Sequence, residues 1–284
     1  MARRVTDETH FKGWAKPGPI PPGIAAGATA EPHETLDAIS GHFRLFQLRD
    51  GHRFSTDDIL TAWYGTTWCP TARAVLDLGS GIGTIGMICA WRLPGAKIVT
   101  VEVQRQSVEL ARKSAAYNGL TDRFEIREGD FREPGILGED ERFDLVAGSP
   151  PYFPPETGVK SDHPQKLACR FELCGTIADY CAIASGHLSA GGLFVCVFPH
   201  EPPQLARVQT GARETRLTIV RKRPVIFREG EAPLIALFGM MRDEDLPDWF
   251  RGRTWEEPPL VIRTREGEIH PEYSGVKLAI GFPP

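Results

Sequence analysis

Three glycines at alternate positions, Gly79, Gly81 and Gly83, lie in the run Asp77-Leu78-Gly79-Ser80-Gly81-Ile82-Gly83. Such a run allows a tight turn and lets a ligand approach bare backbone. Carboxylates accompany it. Asp77 stands just before the glycines, Glu102 ends the next β-branched run, and Asp130 follows the third. The spacing is G-x-G-x-G, whereas a dinucleotide fingerprint reads G-x-G-x-x-G. A carboxylate in front of the loop would also repel a pyrophosphate. It suits the cationic amino-acid portion of S-adenosylmethionine better than NAD. An ordinary strand-to-helix turn would account for the glycines but not for acids at three successive strand ends.

A second constellation is Ser149-Pro150-Pro151-Tyr152. Two prolines fix φ and remove two backbone donors, so their carbonyls are rigid acceptors. The Ser149 hydroxyl and a proline carbonyl could accept both N–H bonds of a planar exocyclic amine, and the Tyr152 ring could stack on the base that carries it. Without the glycine loop, the two prolines would read simply as a stiff turn.

These groups need a scaffold that brings strand ends together. Ala74–Leu78, Lys97–Val103, Phe124–Arg127, Phe143–Ala147 and Leu193–Phe198 read as strands. They alternate with helical segments over Thr84–Leu93, Gln106–Tyr117 and Gly175–Leu188, which stop at Pro94-Gly95, Asn118-Gly119 and Gly191-Gly192. This βαβ rhythm implies an α/β fold, a doubly wound, mostly parallel sheet with helices on both faces. Both constellations then fall at the carboxyl edge of the sheet, where such folds bind ligands. Leu217–Arg221 and Leu234–Met240 read as an antiparallel pair, with a further short strand at Leu260–Arg263.

Composition fits one such domain. Of 284 residues, 41% are hydrophobic and 25% charged, enough for a core without disulfide staples. The six cysteines include no C-x-x-C pair, so reduced thiols and a cytoplasmic setting are expected. No run approaches the roughly 18 apolar residues of a membrane span. The net charge of −4 excludes a protein that coats nucleic acid but allows a local basic face. Residues 1–40, with the Pro/Gly/Ala stretch Lys16–Glu31, read as a flexible leader, and 41–284 as the folded domain. A leader that touches RNA through Arg3, Arg4, Lys12, Trp14 and Lys16 is the alternative. A monomer is expected, although the sequence leaves oligomeric state open.

The chain resembles Rossmann-type SAM-dependent methyltransferases, whose seven-stranded sheet it would share. Asp77–Gly83 resembles the family's first motif, Glu102 with Val103 its ribose-binding acid, and Asp130 with Phe131 its adenine-side pair. Ser149–Tyr152 resembles the amino-methyltransferase loop [N/D/S]-P-P-[Y/F/W], with Ser where Asn is commoner. The likeness extends to Gly51-His52-Arg53-Phe54-Ser55-Thr56-Asp57 and to the tail 258–268. There the chain resembles bacterial tRNA(Val) adenine-N6 methyltransferases over about residues 42–275. The resemblance implies that Arg53, Phe54, Ser55, Thr56 and Asp57 cover the cofactor and that the acceptor is adenine N6 in an anticodon loop. Capping of the helix that follows is the plainer role for Ser55, Thr56 and Asp57. Other acceptors stay open: an rRNA base, DNA cytosine N4 or adenine N6, or a protein glutamine. So does a non-catalytic RNA-binding protein.

Substrate contacts are expected from Arg170 and from Arg221, Lys222 and Arg223, which crowd one strand without an intervening acid. The same stripe could be a charged, solvated edge. The polar stretch Thr157–Lys166 could form a lid. No metal is expected, since Cys169, Cys174 and Cys181 are spaced unlike zinc ligands and read as helix-packing thiols.

Overall fold

The computed structural model describes residues 10–11, 14–15, 29–153, 165, 172 and 174–282. In chain order the strands are β1 (His10–Phe11), β2 (Trp14–Ala15), β3 (Glu34–Ser40), β4 (Phe43–Leu48), β5 (Ala74–Leu78), β6 (Lys97–Glu102) and β7 (Phe124–Glu128). They continue as β8 (Phe143–Gly148), β9 (Leu188–Pro199), β10 (Leu217–Ile226), β11 (Ile235–Arg242), β12 (Trp255–Glu256) and β13 (Leu260–Val261). The helices are α1 (Thr56–Trp68), α2 (Thr84–Arg92), α3 (Arg105–Tyr117), α4 (Ile177–His187), α5 (Pro202–Glu214) and α6 (Pro271–Ala279).

The main sheet runs β7-β6-β5-β8-β9-β11-β10, with β12 and β13 both pairing with the outer edge of β10. The expected seven strands are therefore present, and two dipeptide strands extend the sheet. The first five are mutually parallel, and β11 runs antiparallel to both β9 and β10. Strand order reverses between β5 and β8, which opens a crevice at their carboxyl ends. β5 is central, and four of its five residues are buried, including Asp77. Such a strand reads as an almost unbroken apolar run because both its faces are covered. Side chains of α1, α2 and α3, such as Leu60, Ile88 and Leu110, share the core on one face of the sheet. Those of α4 and α5, such as Tyr180, Cys181 and Val208, share the core on the other.

The expected leader is too long. Glu34–Ser40, inside the 1–40 stretch, is a strand that pairs antiparallel with Phe43–Leu48. Its sequence, ETLDAIS, carries little apolar periodicity, so it does not read as a strand. What orders the hairpin is α3. The Asn118 side chain accepts from Arg44 N (2.9 Å) and donates to Arg44 O (2.7 Å), Ser114 Oγ accepts from Phe46 N (3.0 Å), and the Lys113 ammonium pairs with the buried Glu34 at 2.5 Å. Tertiary partners thus supply what local pattern lacks. Helices α5 and α6 were also not expected, and both begin with proline in the first turn.

Asn118 satisfies a donor and an acceptor of the hairpin while it caps α3. Asn118→Ala strands these part-buried groups and is expected to cost about 2 kcal/mol. Urea denaturation would register this as a lower midpoint with an unchanged slope.

Candidate functional site

A cavity of about 450 Å³ sits at the crevice between β5 and β8, within the size range of small-molecule sites. Four strand ends and the start of α1 wall it. Gly79, Ser80, Gly81, Ile82 and Thr84 come from β5 and the start of α2, Glu102, Val103 and Gln104 from β6, Gly129, Asp130 and Phe131 from β7, and Ser149 to Phe153 from β8. His52, Ser55, Asp57 and Asp58 close it from the segment that leads into α1, and Cys174 and Tyr180 from the α4 side.

The glycine loop is held by a carboxylate. Gly79, Gly81 and Gly83 have φ of 58°, 55° and 84°, a region L side chains rarely adopt. The Gly81 N–H donates to Glu102 Oε2 at 2.8 Å, and Gln104 N donates to the other oxygen at 2.8 Å. Burial pushes the Glu102 carboxyl up despite these donors. At Gly79 a Cβ would collide with the Tyr180 hydroxyl, whereas at Gly81 it would meet nothing within 4 Å. Gly81 therefore faces open cavity.

Asp77 stands differently from the expectation. It does not line the cavity. It is fully buried beneath the loop, and its Oδ2 accepts from Gly86 N in α2 at 2.9 Å. Burial raises its pKa well above the usual carboxylate range. It braces the strand-to-helix turn. Gly83 is likewise the N-cap of α2, packed near Ala111 and Phe124, and does not line the cavity.

The 53–57 segment divides in two. Ser55 and Asp57 face the main cavity. Phe54 and Thr56 face a second one of about 270 Å³, which Ser55 also borders, with Tyr273 and Ile262, and Arg53 turns to the hairpin, where it pairs with Asp37 at 2.9 Å. Gln47 Oε1 accepts from Phe54 N at 2.8 Å and fixes the segment. Asp130 lies at the cavity with Arg132 folded back on it (2.9 Å from Nε to Oδ1), which holds its carboxyl below the usual range.

Ser149 Oγ and Ser80 Oγ are buried at the cavity without a hydrogen-bond partner among the described residues. Orphaned polar atoms at a cavity await a ligand or water. The Tyr152 hydroxyl donates to Asp57 Oδ2 at 2.5 Å, and its ring packs edge-on to Phe198 with centroids 5.6 Å apart. Burial and neighbouring Asp58 push the Asp57 carboxyl up to about 6 against the pull of the Tyr152 hydrogen bond.

The basic strand is not a free phosphate stripe. Arg221 is buried, pairs with Glu257 at 3.2 Å and lies 3.1 Å from the centre of the Trp68 ring. Lys222 pairs with Glu256 at 2.9 Å, and Arg223 lies 5.6 Å from the Trp63 ring centre. The compensating acids come from β12 and the residue after it, far from Arg221 in sequence but beside β10 in the sheet. Arg170, Cys169 and most of Thr157–Lys166 fall outside the described residues. Gln165 is described: it is buried and accepts from His52 N at 2.8 Å. Glu172 pairs with Arg207 of α5. Cys174 lines the cavity instead of packing a helix, whereas Cys181 is buried in α4 as expected.

Sequence reading missed His52, Asp58, Ser80, Gln104, Cys174 and Tyr180. His52 and Asp58 flank the segment already singled out, so its bounds were the missing signal. Tyr180 projects from α4, and no short motif announces it.

Residues 60–167 match the family model described as the methyltransferase small domain. A tRNA1(Val) (adenine(37)-N6)-methyltransferase from Shewanella amazonensis is 30% identical over 242 residues, covering 84% of this chain and 95% of that protein. One from Porphyromonas gingivalis (strain W83) is 29% identical over 189 residues, 64% of this chain and 73% of that protein. Among solved structures, one described as a predicted O-methyltransferase from Agrobacterium tumefaciens superposes with a TM-score of 0.58 at 19% identity, covering 81% of this chain and 98% of that chain. At that identity the likeness speaks for the Rossmann-like fold alone.

Asp57 has a folded pKa above its unfolded value of about 3.9. The folded state therefore binds the proton more tightly. The cost of burying the charge is absent below about pH 4, grows as pH rises and is complete above the folded value of about 6. Its place in the first turn of α1 offsets part of that cost. Asp57→Asn is expected to stabilise the protein by on the order of 2 kcal/mol at pH 8 and by almost nothing at pH 3.5. Thermal melts of the two proteins across pH would measure this. A variant that melts lower at pH 8 would contradict it.

Proposed function

We propose that this chain, which belongs to the tRNA1(Val) (adenine(37)-N6)-methyltransferase family, methylates the exocyclic N6 of an anticodon-loop adenine in tRNA, with S-adenosylmethionine as donor. The observation that carries the reading is that Ser149–Tyr152 opens on the same cavity as the glycine loop and Glu102.

The residues present fit that donor. The Gly81 backbone borders open space, Glu102 is oriented by two backbone N–H donors, and Val103 and Phe131 add apolar wall. On this reading Gly79 and Gly81 lie against the amino-acid portion, Glu102 takes ribose hydroxyls, and Asp130 with Phe131 borders the adenine. Ser55 and Asp57 close the site from α1. Bound there, S-adenosylmethionine supplies a methyl group activated on a sulfonium.

The chain's own part is positioning. The orphaned Ser149 hydroxyl and the Pro150 carbonyl accept the two N–H bonds of the amine and so aim its lone pair. Tyr152 stacks on the base. Held at near-attack distance, the neutral amine forms its N–C bond as the sulfonium C–S bond breaks to a thioether, and the proton it must shed passes to water after the attack, so no base need deprotonate it first. An adenine in a stack cannot reach such a cavity, so the acceptor must be unstacked, as a loop nucleotide readily is. A tRNA acceptor implies a cytoplasmic setting. Among the described residues no helix is long and apolar enough to cross a membrane, and the described cysteines are free.

The test is transfer from labelled S-adenosylmethionine to total tRNA, rRNA and protein, followed by nucleoside mass spectrometry. N6-methyladenosine in tRNA is expected. Label confined to protein, or to N4-methylcytidine, would overturn the assignment. Tyr152→Ala is expected to lower transfer roughly 10- to 100-fold, the value of one base–aromatic stack, with cofactor binding by calorimetry unchanged.

A further inference from the structure

Asp57 and Tyr152 are 95 residues apart in sequence and belong to different walls of the cavity, yet the Tyr152 hydroxyl donates to Asp57 Oδ2. Asp57 lies in the first turn of α1, whose cap is fixed independently by a Ser55–Asp58 capping box. Helix capping therefore does not require the Asp57 carboxyl. Its position is set from behind by Gln47, which holds Phe54 N, and by Arg53 on Asp37. The other end of Tyr152 is held too, because its carbonyl lies 3.4 Å from Arg207 Nη1 and 3.5 Å from Gln204 Nε2. Among the described residues, the hydrogen bond that ties the ring to the α1 wall is that of the phenol hydroxyl.

We propose that Asp57 is the positioning residue of the acceptor pocket, its carboxylate holding the Tyr152 hydroxyl and so setting the plane of the ring that receives the base. The bond also couples two functions. The segment that closes over the cofactor and the loop that receives the acceptor share one hydrogen bond, so a displaced 51–58 segment releases the ring. Asp57 itself need not touch the acceptor.

A carboxylate is the strongest acceptor available for a phenol that must not rotate. The groups around it are Asp58 on the same turn, Tyr152 opposite, Tyr273 of α6 near Thr56, and Cys196 of β9 behind Tyr152. His52 shares the cavity wall. Arg263 bears on Tyr273, and among the described residues no cation pairs with Asp57. The carboxylate is thus kept in a costly place, as expected of a group retained for a task other than stability.

This inference rests on the methyltransferase reading, and two readouts separate their failures. The first is kinetic. Wild type, Asp57→Asn, Tyr152→Phe and the double variant are compared in single-turnover methylation of tRNA, with cofactor affinity by calorimetry. At saturating cofactor each single variant is expected to lose about tenfold in rate and the double no more than the worse single, with cofactor affinity in Tyr152→Phe within about threefold of wild type. Additive losses at saturating cofactor would overturn the positioning role. Inactive wild type would sink the substrate reading instead. The second readout then decides without activity. With ¹³C at tyrosine Cζ, the Tyr152 resonance is expected to move between pH 5 and 7.5 in wild type and to stay fixed in Asp57→Asn. An unmoved wild-type signal would sink the coupling.

Discussion

A carboxylate buried at the carboxyl edge of a parallel sheet must find donors, and the site follows from how two of them find theirs. Asp77 takes the Gly86 N–H from beneath, and Glu102 takes the Gly81 N–H from the neighbouring strand end. Asp77 thereby ties β5 to the first turn of α2, and Glu102 holds the middle of the glycine loop. A side chain at Gly79, Gly81 or Gly83 would be strained in the left-handed backbone this loop adopts. The glycines, acids and strand order are thus one device, and the reversal between β5 and β8 leaves the space above it open.

The same acids set the electrostatics of the cavity. Asp57, Asp58, Glu102 and Asp130 line it, and Asp77 lies under it. Burial pushes Asp57, Asp77 and Glu102 upward, with like charge adding to it at Asp57 and Asp77, and Arg132 holds Asp130 down. Such a cavity favours a ligand that brings positive charge, and a sulfonium with an ammonium is one. That sign separates the donor from a dinucleotide, whose phosphates it would repel.

How much of this could be read in the sequence differs by kind of interaction. The central strands were legible because burial on both faces leaves unbroken apolar runs. The site loops were legible because positive φ demands glycine and a stiff acceptor loop uses proline. Which way a polar residue points was not. Asp77 and Glu102 look alike as strand-end acids, yet one braces the turn and the other faces the cavity. Arg53, Phe54 and Thr56 stand beside Ser55 and Asp57 but turn away from it. The basic run at 221–223 suggested a surface for phosphates because its counter-charges, Glu256 and Glu257, come from a later strand that pairs alongside. The β3–β4 hairpin was hidden for the same reason: Ser114 and Asn118 on α3 complete its hydrogen bonds, and no local pattern reports them.

The serine at the head of the acceptor loop fits this picture of fixed backbone and shared partners. A hydroxyl reaches less far than the commoner amide and lacks its planarity, so on the proposed reading an amine at Ser149 would depend more on the neighbouring carbonyl and on a loop that does not yield. Rigidity is what the surroundings supply. Two prolines fix the torsions after Ser149, Tyr152 is anchored at its hydroxyl by Asp57, and its carbonyl sits against Arg207 and Gln204. Arg207 is itself held by Glu172 and lies over the Phe198 ring, against which Tyr152 packs. A short acceptor on a stiff, twice-anchored loop can orient an amine as well as a longer one on a freer loop, because orientation is lost through motion of the frame as readily as through choice of side chain.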